Sequence, residues 1–210
     1  MKFAKEGNFF LYPLFILFII ILSISWYFNY SFYFSLVLFM FLIFGLIFFR
    51  DPERNLPNEE NIIISPADGI ITKIQNINDP QLGESLIISI FLNVYNVHVN
   101  RMPINGKFIK VNYVSGKFLA AFDHKSSDEN ERTEILIDTK IGMIKIKQIA
   151  GLIAKRIICY AIEGKTMQIG NRLGFIRFGS RTDLILPKDV NLKVNVGEKV
   201  IGNETIIAKF

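Results

Sequence analysis

The chain has 210 residues, half of them hydrophobic, and a formal net charge of +5 at pH 7. This length suits one ordinary domain with an appendage, and the apolar content excludes intrinsic disorder. A modest positive charge without a dense basic cluster favours an anionic membrane surface, so no nucleic-acid partner is predicted. The single cysteine, Cys159, cannot form an internal disulfide and is predicted to be a buried structural thiol.

Residues 1–49 are predicted to form a membrane-anchoring helical hairpin. No charged side chain lies between Glu6 and Arg50, and two apolar runs cover 9–28 and 32–49. Each run is close to the roughly 20 residues that a helix needs to cross a bilayer. No small-residue cleavage site follows the first run, which argues against a signal peptide. Pro13 leaves open whether the hairpin crosses the bilayer or enters it only in part.

The charges flanking the hairpin predict its orientation. Lys2 and Lys5 precede the apolar runs, and Arg50 and Arg54 follow them. Cytoplasmic flanks of membrane helices carry an excess of Lys and Arg. We therefore expect a protein of the cell membrane whose soluble domain lies on the cytoplasmic face.

Residues 50–60 are polar and are predicted to be a linker, and 61–210 are predicted to form a mainly β domain. Short β-branched segments alternate with turn signals there, at 61–65, 69–74, 85–91, 134–138, 143–148 and 157–162. Such spacing is typical of an all-β domain. The segment 194–208 resembles the closing hairpins of biotinyl- and lipoyl-type domains, which indicates a barrel-sandwich-like fold. After residue 60, only 118–133 is expected to hold a turn or two of helix.

Candidates for chemistry are few. His98 lies in FLNVYNVHVNRMPING, where strand alternation would place it on one face with Asn96 and Asn100, a plausible pocket. His124 lies in a polar segment and is predicted to be a solvated surface residue. Asp68, in SPADG, is by itself a turn carboxylate. No residue spacing indicates a metal site or a phosphate loop.

Several motifs follow one another in a specific order. After the apolar hairpin come RDPER, SPADG, YNVHVNRMPING, GKFLAA, ENER and IRFGSRTD. A Gly-Ser pair alone would indicate a β-turn. Together, from about residue 49 to the C-terminus, the motifs resemble the phosphatidylserine decarboxylase family, in particular its short-chain branch.

The resemblance implies a proenzyme that cuts itself between Gly179 and Ser180. The products would be a β chain, 1–179, and an α chain, 180–210, which stay together as a heterodimer, with further oligomerisation left open. Ser180 would become a covalent pyruvoyl cofactor, and no metal is implied. The pyruvoyl group would form a Schiff base with phosphatidylserine, and loss of CO2 would give phosphatidylethanolamine at the membrane.

The resemblance also implies which residues are catalytic. Asp68 and Ser180 carry over directly, and His98 carries over as the residue beside the reacting carboxylate. Long-chain members have two histidines spaced HxxH, and Arg101 stands here at the second. That histidine normally joins the aspartate and the serine in self-cleavage, so the base stays open, and His98 could take both tasks. Arg101, Arg177 and Arg181 are candidates for binding the substrate anions, and each is equally explained as surface charge.

Two alternatives remain at this point. The same decarboxylation could act on another serine-headgroup lipid, such as an archaetidylserine. A membrane-anchored, non-catalytic barrel-sandwich adaptor would also explain the hairpin and the β repeat. The adaptor would leave RFGSRTD unexplained and would stay uncut.

Overall fold

The structure is a computed structural model that describes residues 2–28, 32–117, 130–151, 156–177 and 180–210. The chain divides into two compact units, Met1–Glu53 and Arg54–Phe210. His124 and Gly179 lie outside the described residues.

The N-terminal unit is a pair of apolar helices. A 3-10 turn at Lys5–Gly7 leads into α1, Asn8–Phe28, and α2 spans Tyr33–Phe48. The helices contact each other through the rings of Phe18 and Phe39, 5.7 Å apart, and the hydroxyls of Ser25 and Ser35, 3.5 Å apart. Large apolar side chains face outward along both helices. Soluble proteins rarely expose an apolar surface of this extent, so the pair suits a lipid environment.

The two helices differ in length. The helical stretch Lys5–Phe28, with 24 residues, is long and apolar enough to cross a membrane. The 16 residues of α2 span about 24 Å at 1.5 Å per residue. This is less than the hydrocarbon thickness of about 30 Å. Of the described helices, α1 alone therefore meets the length requirement for crossing.

The second unit consists of short strands, which confirms the prediction of a mainly β domain after an apolar helical segment. The strands are β1 Ile62–Ile64, β2 Gly69–Asp79, β3 Gly83–Leu92, β4 Val99–Arg101, β5 Gly106–Val114, β6 Arg132–Thr139, β7 Gly142–Ala150, β8 Ile157–Cys159, β9 Thr166–Met167, β10 Arg172–Ile176, β11 Ser180–Pro187, β12 Asn191–Leu192, β13 Lys199–Val200 and β14 Ile206–Lys209. Each of the six predicted strand segments overlaps one of these. Of the segment 118–133, residues 118–129 lie outside the described part, and Arg132 already begins β6.

The strands form three sheets. The large sheet has the order β13-β2-β3-β11-β7-β6-β5-β9, and two small sheets have the orders β1-β14-β12 and β4-β10-β8. The strand pairs are antiparallel, and two of them, β2–β3 and β6–β7, are joined by short turns. β11 lies inside the large sheet, paired with β3 on one edge and with β7 on the other.

β11 is buried on both of its faces. Leu184 and Leu186 belong to the main hydrophobic core. Arg181 and Asp183 alternate with them and therefore face the other side, where both are buried. A central strand that is covered on both sides cannot show the simple alternation of a half-exposed strand.

The strand expected to continue through His98 is interrupted, so that prediction is wrong. A turn follows β3, in which the Asn96 N–H donates to the Asn93 carbonyl at 3.0 Å. The side chains of these two asparagines also bond to backbone N–H groups within the turn. Asn and Asp side chains favour such turns because they replace backbone partners. His98 comes after this turn, just before β4.

Cys159 lies in β8 and is partly buried, packed against the main core. Burial raises the pKa of its thiol. The neutral thiol is therefore favoured, which agrees with a structural role.

A buried ion pair joins Asp79, at the end of β2, to Lys145 of β7. The Lys145 ammonium contacts both Asp79 oxygens at 2.6 Å, and the side chains are 5% and 4% exposed. Burial alone would raise the pKa of Asp79. The hydrogen bond from Lys145 and those from the backbone N–H groups of Gln81 and Leu82 outweigh it, so the pKa is lowered.

We predict that Asp79→Asn will lower the free energy of unfolding by about 3–5 kcal/mol at neutral pH, because it leaves Lys145 buried without its counter-ion. Because the folded pKa of Asp79 is lowered, its contribution is present above the ordinary value of 3.8 and is lost as the pH falls through the folded value. Denaturation measured against pH checks both statements. Glu84→Gln, in the exposed pair with Lys188, is the control. Equal effects of the two variants would contradict this prediction.

Candidate active site

Ser180 is the first residue of β11 and pairs with Leu92 of β3 and Ala150 of β7. Strand alternation places its side chain on the face of Leu184, toward the core. Its hydroxyl is buried and has no hydrogen-bond partner among the residues that the structure describes. Buried polar atoms without partners are rare in folded proteins, and a catalytic role is one explanation for them.

His98 is fully buried and is held in one tautomer. Its Nδ1 lies 2.9 Å from the carbonyl oxygen of Asn96. A carbonyl oxygen only accepts, so Nδ1 must carry the hydrogen, and Nε2 of the neutral ring carries the lone pair. The ring lies beside Phe175, with the centroids 6.4 Å apart. The geometry therefore presents Nε2 as a proton acceptor.

Backbone contacts bring the segment of His98 toward the start of β11. The Ile176 N–H, at the end of β10, donates to the His98 carbonyl at 3.3 Å. Ile176 also packs against Ala150, the strand partner of Ser180. His98 and Ser180 therefore lie at the same end of the β unit.

Asp68 is engaged elsewhere. Arg54 donates to both of its carboxylate oxygens, with Nη2 at 2.8 Å from Oδ2, and the Gly202 N–H donates to Oδ1 at 2.9 Å. Arg54 also donates to the Gly202 carbonyl at 2.8 Å. In the described part of the chain, Asp68 has no hydrogen bond to Ser180 or His98. The role of Asp68 in self-cleavage thus stays a prediction.

We call Arg54, Asp68 and Gly202 the carboxylate clamp. A neighbouring residue, Asn203, supports the clamp, because its side-chain nitrogen donates to the Arg54 carbonyl at 3.2 Å. Asn203 has a φ of 75°, which asparagine adopts more readily than most residues. The clamp joins the segment after the apolar helices, the SPADG turn and the last loop of the chain. Arg54 is the last residue of the RDPER motif, but no local sequence pattern indicates that it is the partner of Asp68.

The three candidate arginines have different surroundings. Arg181 is buried and ion-paired with Asp183 at 2.6 Å, with a further bond to Ser89 at 2.8 Å. It is therefore not a solvated surface charge, and its side chain lies on the face of β11 opposite Ser180. Arg101 is partly buried and donates to the Gly170 carbonyl at 3.3 Å. Arg177 is partly buried at the end of β10.

No group of three or more His, Cys, Asp or Glu side chains that could hold a metal ion occurs in the described residues. The candidate site brings a buried serine hydroxyl and a buried imidazole to the same end of the β unit, beside the hydrophobic core.

The family model for phosphatidylserine decarboxylase matches residues 41–208. The chain belongs to the phosphatidylserine decarboxylase family. Its relatives are named phosphatidylserine decarboxylase proenzyme. That of Chlorobaculum parvum is 46% identical over 82% of this chain and 81% of its own length. That of Wolbachia pipientis wMel is 44% identical over 98% and 90%, and that of Geobacter metallireducens is 45% identical over 84% and 83%. Membership of this family makes the chain a carboxy-lyase and excludes the non-catalytic adaptor.

The carboxylate clamp predicts that Asp68→Asn and Arg54→Met will destabilise the fold by similar amounts, about 1.5–3 kcal/mol each, because both break the same charged hydrogen bonds. The double variant should cost less than the sum of the two. Denaturant unfolding of the three variants measures this coupling. An Asp68→Asn chain that is as stable as the parent but remains uncut would contradict the clamp and assign Asp68 to self-cleavage.

Proposed function

We propose that the chain is a phosphatidylserine decarboxylase that forms phosphatidylethanolamine and CO2 with a pyruvoyl group made from its own Ser180. The observation that carries this proposal is the buried Ser180 hydroxyl, without a partner among the described residues, at the start of a central strand. The family model and the proenzyme names of the relatives support it.

The surroundings of Ser180 fit a pyruvoyl group. The group would occupy the place of the serine and needs no further binding residues, since it stays attached to β11. Its neighbours in the sheet, Leu92 and Ala150, are apolar and buried. Once formed, a pyruvoyl group supplies an electron sink for the electron pair released by decarboxylation. A dry, enclosed site protects such chemistry from competing water.

Self-cleavage follows from ordinary serine chemistry. The Ser180 Oγ attacks the carbonyl carbon of Gly179, its proton passes to a base, and the C–N bond breaks as the amine takes up a proton. The resulting ester is then eliminated. The α-proton leaves Ser180, the Gly179 carboxylate departs, and dehydroalanine remains. Addition of water and loss of ammonia complete the conversion.

His98 is the proposed base for the first step. The hydrogen bond from Nδ1 to Asn96 fixes the tautomer in which Nε2 can accept the proton. A guanidinium such as that of Arg101 stays protonated and cannot take this part. In the mature enzyme, we assign to the same Nε2 the return of a proton to the product carbon after CO2 has left.

After cleavage, the two fragments should stay associated because the α chain contributes strands to the sheets. Residues 180–210 contribute β11 to β14. β11 pairs with β3 and β7, β13 pairs with β2, and β14 pairs with β1. The proposed α and β chains are therefore held together as a heterodimer by backbone hydrogen bonds and core packing.

The apolar N-terminal unit supports a place at the membrane, where a phospholipid substrate resides. We assign the β unit to the cytoplasmic face from the flanking cations Lys2, Lys5, Arg50 and Arg54. The short α2 favours a hairpin that enters the bilayer over one in which both helices cross it. The names of the relatives favour phosphatidylserine over another serine-headgroup lipid.

Intact-mass spectrometry tests the self-cleavage. The parent chain should give two fragments that meet between Gly179 and Ser180, with an α chain that lacks a free N-terminal amine. Ser180→Ala should stay at full length, because no hydroxyl remains to attack. Ser85→Ala changes another buried serine, whose hydroxyl bonds to Gly83, and should be cut like the parent. Cleavage of the Ser180→Ala chain would overturn the proposed function.

His98→Ala should slow self-cleavage and lower the activity of each cleaved molecule by about 10²–10⁴-fold, the usual contribution of a general acid or base. His124→Ala, at the other histidine of the chain, is the control and should behave like the parent. The measurements are the cleaved fraction over time and CO2 release per cleaved chain. If His98 were only structural, its loss would reduce the folded yield but leave the activity per cleaved chain near normal.

A further inference from the structure

Three buried polar side chains form a hydrogen-bonded chain beside the candidate site. The Gln148 side-chain nitrogen donates to Asn100 Oδ1 at 2.7 Å, and Asn100 Nδ2 donates to Thr182 Oγ1 at 3.3 Å. All three residues are fully buried. We call Asn100, Gln148 and Thr182 the amide bridge.

The amide bridge connects two sheets. Gln148 of β7 and Thr182 of β11 are paired neighbours in the large sheet, whereas Asn100 lies on β4 of a small sheet. Asn100 comes two residues after His98, and Thr182 comes two residues after Ser180. On β11, a spacing of two places Thr182 on the same face as Ser180. The bridge therefore links the segment that carries the imidazole to the strand that carries the hydroxyl.

The fold accommodates this bridge at a cost. Gln148 Oε1 is buried without a hydrogen-bond partner among the described residues. A Cβ at Gly174 of β10 would lie 2.5 Å from Gln148 Nε2 and 2.2 Å from the Ile158 carbonyl oxygen. The glutamine side chain therefore occupies space that is open only because residue 174 is a glycine. An apolar side chain at 148 would avoid the buried, unsatisfied acceptor. Keeping a glutamine there is explained if its hydrogen bond serves the reaction.

We propose that the amide bridge is a positioning device that sets the separation between His98 and Ser180 for self-cleavage. The inference rests on the proposed function. Proton transfer needs the base within about 2.6–3.2 Å of the hydroxyl, and an error of 1 Å in position can cost about 10²-fold in rate. Neither hydrogen bond of the bridge involves Ser180 Oγ or His98 Nε2, so the bridge acts through β11 and through the segment that leads from His98 into β4.

Variants at Thr182 test the bridge with little change of shape. Thr182→Val removes the hydroxyl and should slow self-cleavage by about 10–100-fold. Thr182→Ser keeps the hydroxyl and should restore most of the rate. Thr133→Val is the matched control, since Thr133 is a buried threonine on the neighbouring strand β6, paired with Gln148 but outside the bridge. Cleavage is followed over time by intact-mass spectrometry after cell-free synthesis. The melting temperature of each variant is measured separately in a chain that also carries Ser180→Ala and therefore cannot be cut.

Gln148→Met provides a second, independent variant, because methionine keeps the length of the side chain and loses the donor. It should slow cleavage as Thr182→Val does. The proposal is overturned if folded Thr182→Val and Gln148→Met chains are cut at the parent rate, or if Thr182→Ser is as slow as Thr182→Val. Cleavage of the Ser180→Ala chain alone would instead overturn the proposed function. If the Ser180→Ala chain stays uncut while the bridge variants are cut at the parent rate, only the positioning role of the bridge is overturned.

Discussion

The position of β11 between β3 and β7 is the constraint on which the rest of the β unit depends. A strand paired on both edges keeps its backbone hydrogen bonds even when the peptide bond before it is broken. Leu184 and Leu186 fix one face in the main core, and the buried pair of Arg181 and Asp183 occupies the other. A residue at the first position of such a strand can be the end of a chain without loss of its place in the fold.

This placement also determines the chemistry available at Ser180. A hydroxyl buried in the core is removed from bulk solvent, and no described residue forms a hydrogen bond with it. The imidazole of His98 is buried as well, and its Nδ1 is occupied by the hydrogen bond to the Asn96 carbonyl. The serine hydroxyl is uncharged, so its burial does not carry the cost of an unpaired buried charge.

Local sequence patterns predicted the apolar helices and six of the strands, because both depend on periodicity along a short segment. The surroundings of the candidate site residues could not be predicted in the same way. Asparagine turn chemistry interrupted the expected strand before His98. The partners of Asp68 lie far from it in sequence, at Arg54 and Gly202, and periodicity carries no information on such contacts. Gln148 ends a segment predicted only as a strand, and no local pattern indicates its bond to Asn100, which crosses from one sheet to another.

The presence of Arg101 in place of a second histidine is consistent with the pairing of Asp68 in the carboxylate clamp. In a triad, the aspartate would orient the second histidine of HxxH, but Arg101 stands at that position and donates to the Gly170 carbonyl instead. A carboxylate without an imidazole to orient would be a buried charge in need of a partner. Arg54 supplies that partner with two hydrogen bonds, and Gly202 adds a third. Under the proposed mechanism, the imidazole of His98 then acts alone on Ser180, and its position must be fixed by neighbours other than Asp68. We propose that the amide bridge fixes the position of the His98 imidazole.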